Sequence, residues 1–193
     1  MANTNQITGA RKCRLDDSSL LVIDIQQRLG DAMPGKVLNR VLQNTSLLAR
    51  AAGLLEVPVL HTEQYPQGLG PTHTLVLESL PEQRRYFTKT TFSCMNADGF
   101  PAAIGGLGRR QAVLVGMEAH ICVLQTAMDL AATGAEVFVV EDAICSRRLE
   151  NYQNALDRMR ASGINIVSAE SVVFEWMGDS RHPQFKTIQG WLR

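Results

Sequence analysis

Apolar residues fall along this chain in short runs, and most runs are followed by residues at helical spacing. The first run, residues 19–24, reads Ser-Leu-Leu-Val-Ile-Asp. Continuous apolar character over so few residues suits a strand buried on both faces. Val37, Leu38, Val41, Leu42, Thr45, Leu48, Ala49 and Ala52 then mark one helical face, with Gly53 placed to stop it. Residues 57–61 read as a second strand and 85–89 as a third, with turn-rich sequence and a weak helix near 74–80 between them. A modest helix is expected over 96–107. Residues 111–116 form the fourth expected strand and feed a largely apolar helix, about 119–133, ended by Gly134. A fifth strand is expected at 136–141. Tyr152, Ala155, Leu156 and Met159 give helical spacing up to Gly163, before a sixth strand at 164–168. Short helices at 170–177 and 184–192 close the chain.

This schedule predicts an α/β fold in three layers (α/β/α), built on a doubly wound, mostly parallel six-stranded sheet of Rossmann-like order. No repeat or Gly/Pro/Ser-rich linker divides the sequence, so 1–193 reads as one domain. Residues 1–17 are expected as an extended N-terminal segment and 178–193 as a C-terminal helix. Ligands bind such sheets at the carboxyl ends of the strands, near the point where strand order reverses. The positions to inspect are therefore Asp24, residues 61–64, Lys89, residues 116–122 and Asp142.

Composition narrows the partners. Nineteen basic and nineteen acidic residues among 193 give a formal net charge of zero. That removes the electrostatic argument for nucleic acid or an anionic membrane as partner. The first 17 residues are polar and lack the apolar core of a signal peptide. No apolar run approaches the roughly 20 residues needed to span a bilayer. Cys13, Cys94, Cys122 and Cys145 show no CxxC spacing, so free thiols in a reducing compartment are the default. A cytoplasmic protein acting on a small molecule is the expectation.

Three residues at strand ends carry candidate chemistry. Cys122 follows the fourth strand as the chain enters a helix, where free N–H groups favour a thiolate and can receive an oxyanion. Equally, a cysteine there can be one more small buried residue. Asp24 closes an apolar strand and must be paired, hydrogen-bonded or functional; it can shuttle a proton for a thiol or simply bind backbone N–H groups. Lys89 closes the third strand, either stabilising a thiolate or standing in solvent, as lysines mostly do. The convergence of acid, cation and thiol at the ends of strands one, three and four is what favours chemistry.

The segments Leu21-Val22-Ile23-Asp24-Ile25-Gln26, Thr88-Lys89-Thr90-Thr91-Phe92-Ser93 and Leu114-Val115-Gly116-Met117-Glu118-Ala119-His120-Ile121-Cys122-Val123 together resemble the isochorismatase-like cysteine hydrolases. That superfamily includes nicotinamidases and carbamoylsarcosine amidases. The resemblance runs from about Ser18 to about Val173 and is nearest the isochorismatase-domain-containing and YcaC-related branch. It implies an isochorismatase-like sheet and a catalytic set of Asp24, Lys89 and Cys122. It also implies a cis peptide at Met117–Glu118 and an oxyanion hole from the amides of Glu118 and Cys122. The implied reaction cleaves an amide or imide C–N bond through a thioester on Cys122. Family members are commonly homo-oligomers, and the same is expected here, with Trp176 and Trp191 either at an interface or packed back on the domain.

Nicotinamidases hold a metal through an Asp-x-His segment after the second strand. Here the segment is His61-Thr62-Glu63-Gln64-Tyr65, so neither a metal nor a cofactor is expected, despite donors at His61, Glu63 and His73. Gln64, Phe92 and His120 are candidate substrate-lining residues. Each has a plain alternative: polar loop for Gln64, core for Phe92 and a structural role for His120. Asp142 is expected to brace loops. Two other readings stand beside the hydrolase: a catalytically lapsed binding or scaffold domain, and a redox-active thiol. The latter wants a second cysteine near Cys122, and none lies at close spacing in sequence.

Overall fold

A computed structural model describes residues 11–192. Its six strands are β1 (Ser18–Ile23), β2 (Val59–Gln64), β3 (Arg85–Lys89), β4 (Gln111–Met117), β5 (Glu136–Cys145) and β6 (Asn165–Val167). They form one sheet in the order β3-β2-β1-β4-β5-β6, and every pairing is parallel. The chain winds outward from β1 to one edge, then restarts at β4 and winds to the other. The order therefore reverses between β1 and β4.

The continuous apolar runs follow from this arrangement. Leu20 and Val22 of β1 point into one core, which receives the helices Gly35–Leu54 and Ala169–Met177 through Val41, Leu48, Ala52, Val172 and Trp176. Leu21 and Ile23 point into the other, which receives the helices Leu124–Ala132 and Leu149–Ala161 together with Phe100. A strand covered on both sides has no polar face to show. Burial of each such side chain contributes about 1.5–3 kcal/mol, enough to make the central strands the rigid base of whatever follows them.

Several expected boundaries shift. The first long helix runs through Gly53 to Leu54, and the left-handed residue that ends it is Glu56, with φ of 58°. β5 extends to Cys145 because its register against β4 slips between Leu114 and Gly116, which keeps residues 141–145 in the sheet. The single helix expected over 119–133 is two elements: a π-helical turn, Ala119–Val123, and the α-helix Leu124–Ala132. Among the described residues of the C-terminal stretch, only Phe185–Gly190 is helical. The expected N-terminal segment lies partly outside the described residues, and Leu15–Asp17 forms a 3-10 turn rather than extended chain. Trp176 is buried and Trp191 lies under the Arg50 guanidinium, 4.6 Å from ring centre to Cζ, so both pack back on their own chain. Among the described residues, no helix is long and apolar enough to cross a membrane.

Candidate active site

Register assembles the site. Ile23, the last residue of β1, pairs with Thr62 of β2 on one side and Gly116 of β4 on the other. Gly116 has φ of 134°, and a Cβ placed on it would lie 1.9 Å from the Ile23 carbonyl oxygen. Only glycine allows β1 and β4 to approach this closely. Beyond Ile23 the backbone turns: Asp24 takes φ of 50°, uncommon for a residue with a side chain, and its N–H donates to the Thr62 carbonyl at 3.1 Å.

This turn brings Asp24 to Lys89. Lys89 Nζ donates to Asp24 Oδ2 at 2.6 Å, and both side chains are wholly inaccessible to solvent. Thr62 Oγ1 donates to the other carboxylate oxygen at 2.7 Å. Lys89 Nζ has further acceptors in Gln64 Oε1 at 2.7 Å and in the carbonyls of Phe92 and Thr91 at 3.1 and 3.2 Å. An ammonium has three N–H bonds to give, and four acceptors surround it. Lys89 is thus a fixed charge with no donor to spare. Burial pulls its affinity for the proton down, but the charge of the Asp24 carboxylate outweighs that and holds it above the ordinary lysine value.

Cys122 lies in the π-helical turn after β4. The Met117–Glu118 peptide bond is cis. The Glu118 carbonyl accepts the N–H of Ile121 at 3.0 Å and that of Val123 at 3.3 Å; the second, an i to i+5 bond, widens the turn around Cys122. The Glu118 carboxylate anchors the segment to the exit of β5, accepting the Arg147 N–H at 2.9 Å and Arg147 Nε at 3.2 Å. Cys122 is buried, and its charged neighbours are Asp24 and Lys89. Burial first, then the Asp24 negative charge, push the thiol well above its ordinary range, while Lys89 opposes them. The thiolate expected from a helix start is therefore corrected. The resting group is a neutral thiol, because desolvation and a neighbouring anion exceed the pull of a lysine already committed to Asp24.

The remaining candidates separate. Gln64 holds Lys89, donates through Nε2 to the Thr90 carbonyl at 2.8 Å, and gives its backbone N–H to Gln26 Oε1 at 2.8 Å; it positions the cation. Phe92 contributes its carbonyl to Lys89, but its ring is exposed and not in the core. His120 does not face Cys122 as a second base. Its Nδ1 meets Ser146 Oγ at 2.9 Å and its Nε2 lies 3.3 Å from Asn151 Nδ2. Asp142 braces loops: its carboxylate accepts the Ala169 N–H at 2.9 Å.

His61 and Glu63 serve the opposite face of β2. His61 Nε2 lies 2.6 Å from Thr72 Oγ1, which donates to Glu63 Oε1 at 2.7 Å. Tyr86 donates to Glu63 Oε2 at 2.6 Å. Since Thr72 spends its proton on Glu63, His61 carries its own on Nε2, and its buried Nδ1 has no partner among the described residues. Among the described residues, no three His, Cys, Asp or Glu side chains converge as a metal site would require.

Sequence reasoning missed Cys94. It is fully buried in the same core as Cys122, with its Sγ 3.9 Å from Thr62 Oγ1. Burial, followed by the Asp24 charge, pushes it up to about 11. Beside Lys89 a cavity of about 380 Å³ opens between residues 65–67, 88–91 and 96–98.

A six-stranded parallel sheet in this order is an architecture shared with known proteins. The isochorismatase domain family matches residues 18–171, and the chain belongs to that family. The zebrafish (Danio rerio) isochorismatase domain-containing protein 2 is 35% identical over 184 residues, covering 95% of this chain and 90% of that one. The Atlantic salmon (Salmo salar) isochorismatase domain-containing protein 1 is 38% identical over 88% of this chain, which spans only 59% of that longer protein. Among solved structures, the Caenorhabditis elegans protein described as MAR1 ribonuclease superposes with a TM-score of 0.87 at 34% identity, covering 94% and 92% of the two chains. YcaC from Pseudomonas aeruginosa, solved with covalent acrylamide, gives 0.87 at 24% identity over 94% and 91%, a likeness of fold. Family and fold together support a hydrolase.

Proposed function

We propose that this protein hydrolyses a C–N bond of a small amide or imide through a covalent thioester on Cys122. The observation that carries the reading is the Asp24–Lys89 pair, 2.6 Å apart and sealed from solvent, with the neutral thiol of Cys122 as its neighbour. A buried carboxylate with one oxygen on Thr62 and one on Lys89 is a fixed base, and the thiol is the group beside it with a proton to give. Asp24 takes that proton as Cys122 Sγ attacks the carbonyl carbon, so thiolate character develops only as the S–C bond forms. The oxyanion is received by the backbone amides of Glu118 and Cys122. Lys89, with every N–H engaged, acts as a positioned charge rather than as a donor to substrate. Collapse expels the amine with the proton held by Asp24. Water, deprotonated by Asp24, then attacks the thioester, and Cys122 leaves as the restored thiol. The protein works in the cytoplasm as a homo-oligomer on this reading, with no nucleic acid or membrane partner.

The nuclease description of the roundworm neighbour finds less support here. The balanced charge of 19 basic and 19 acidic residues offers no general attraction for a polyanion. The test is incubation with an amide and ester library followed by mass spectrometry. A mass increase on the Cys122 peptide, with product released in the wild type and at least about 1,000-fold slower in Cys122→Ala, is expected from loss of the nucleophile. Full turnover by Cys122→Ala would remove the assignment.

A further inference from the structure

The walls of the cavity beside Lys89 are chemically selective. Its volume of about 380 Å³ lies in the range of small-molecule sites, roughly 300–1,000 Å³. Two formally charged residues line it, Lys89 and Asp98. Lys89 is spent: Asp24, Gln64 and two carbonyls surround its ammonium. Asp98 is exposed and makes no hydrogen bond or ion pair among the described residues. The uncompensated charge on the cavity is therefore negative.

Tyr65 adds an aromatic wall. Its backbone takes φ of 36°, a left-handed conformation that is an outlier for a bulky side chain, and is fixed by its N–H on the Lys89 carbonyl at 2.8 Å. The ring lies against Gly68, where an added Cβ would come within 2.2 Å of it. The loop is thus folded around the ring, which still leaves the residue 54% exposed. Strain of this kind persists where the surroundings enforce it. A ring face and a free carboxylate on one cavity suit a cation, and Asn96 and Thr90 add neutral hydrogen-bonding groups.

We propose that this cavity binds the positively charged end of a small molecule, an ammonium, amidinium or guanidinium group, with Asp98 as counter-charge and Tyr65 as aromatic wall. The choice of an amide as the rest of that molecule rests on the thioester reading above. Three amides of similar length test it: 4-aminobutanamide, pentanamide and succinamate, which end in a cation, a methyl group and an anion. Binding is measured by ligand-observed NMR and turnover by ammonia release, with wild type and Asp98→Asn. The expected order is 4-aminobutanamide about five- to tenfold tighter than pentanamide, as one exposed ion pair plus one cation–π contact provides, and succinamate weakest. In Asp98→Asn the cation-to-neutral ratio falls to about one, and added salt lowers it in the wild type. Succinamate or pentanamide binding as tightly as the cation, an unchanged order in Asp98→Asn, or no binding by any of the three overturns the proposal. The two readings fail separately. The expected binding order without ammonia release sinks the hydrolysis and leaves the cation site, whereas ammonia release without charge preference does the reverse.

Discussion

Lys89→Met tests the central claim that the site is organised by a buried ion pair. The substitution keeps the length of the side chain and removes its charge. It leaves Asp24 Oδ2 buried with Thr62, on the other oxygen, as its remaining side-chain partner, and strips an N–H from Gln64 Oε1 and two carbonyls. Two unit charges 2.6 Å apart attract by about 6 kcal/mol at an effective dielectric of 20. Most of that gain is offset by desolvation of both groups, so the measurable quantity is the cost of breaking the pair, about 3–5 kcal/mol. Asp24→Asn strands the cation instead and costs a similar amount. The double variant leaves neither charge unpaired and loses less than the sum of the singles by about 3 kcal/mol. Urea unfolding of the four proteins at one pH near neutrality gives the cycle directly. Additivity within about 0.5 kcal/mol, or a Lys89→Met cost below about 1 kcal/mol, would mean that the two groups are not coupled in the folded protein and that the acid–cation arrangement is misread.

Two further outcomes follow from the same geometry. Gly116→Ala forces a methyl group onto the Ile23 carbonyl, which would lie 1.9 Å away; β1 and β4 must separate, and a loss of about 3 kcal/mol or more in thermal or urea unfolding is expected. A near-neutral result would show that the strands part freely there. Burial, the largest cause, pulls His61 down to about 4 from an ordinary 6.5, so between those values the unfolded chain binds a proton that the folded chain refuses. Stability is complete above about pH 6.5 and falls toward pH 4, by about 3 kcal/mol in all. His61→Gln flattens this part of the profile, and an unchanged acid limb in that variant would place the effect elsewhere.

The strand schedule was legible because both faces of β1, β4 and β5 are covered, so residues 20–23, 112–115 and 137–140 are all apolar and each run announces itself. Asp24 and the turn to Cys122 stood out as the residues at the ends of β1 and β4, and Lys89 as the end of the third expected strand, β3. Their hydrogen bonds did not. That Thr62 reaches Asp24 depends on Ile23 pairing with Thr62, a register no periodicity encodes. Gln26 and Gln64 clasp each other for the same reason. Cys94 follows β3 in a three-residue 3-10 turn, too short for a repeat to mark it, and becomes a neighbour of Cys122 only through the fold. The protonation state of Cys122 was misjudged because a helix start was visible in the sequence whereas burial beside a carboxylate was not. β5 ran longer than expected because a slip in register lets polar residues 141–142 stay within a strand.

β2 carries two separate duties on its two faces. Thr62 and Gln64 point toward Asp24 and Lys89, while His61 and Glu63, between them, tie down Thr72 and Tyr86. Side chains alternate along a strand with period two. A single residue inserted or deleted between Val59 and Thr62 would therefore exchange the faces, swinging the histidine and glutamate toward the lysine and the threonine and glutamine toward the loop. Length changes that spare this frame are those placed beyond the Tyr65 turn. For anyone redesigning the pocket, that turn is the place to graft new loops, and the six residues of β2 are the frame that must keep its count.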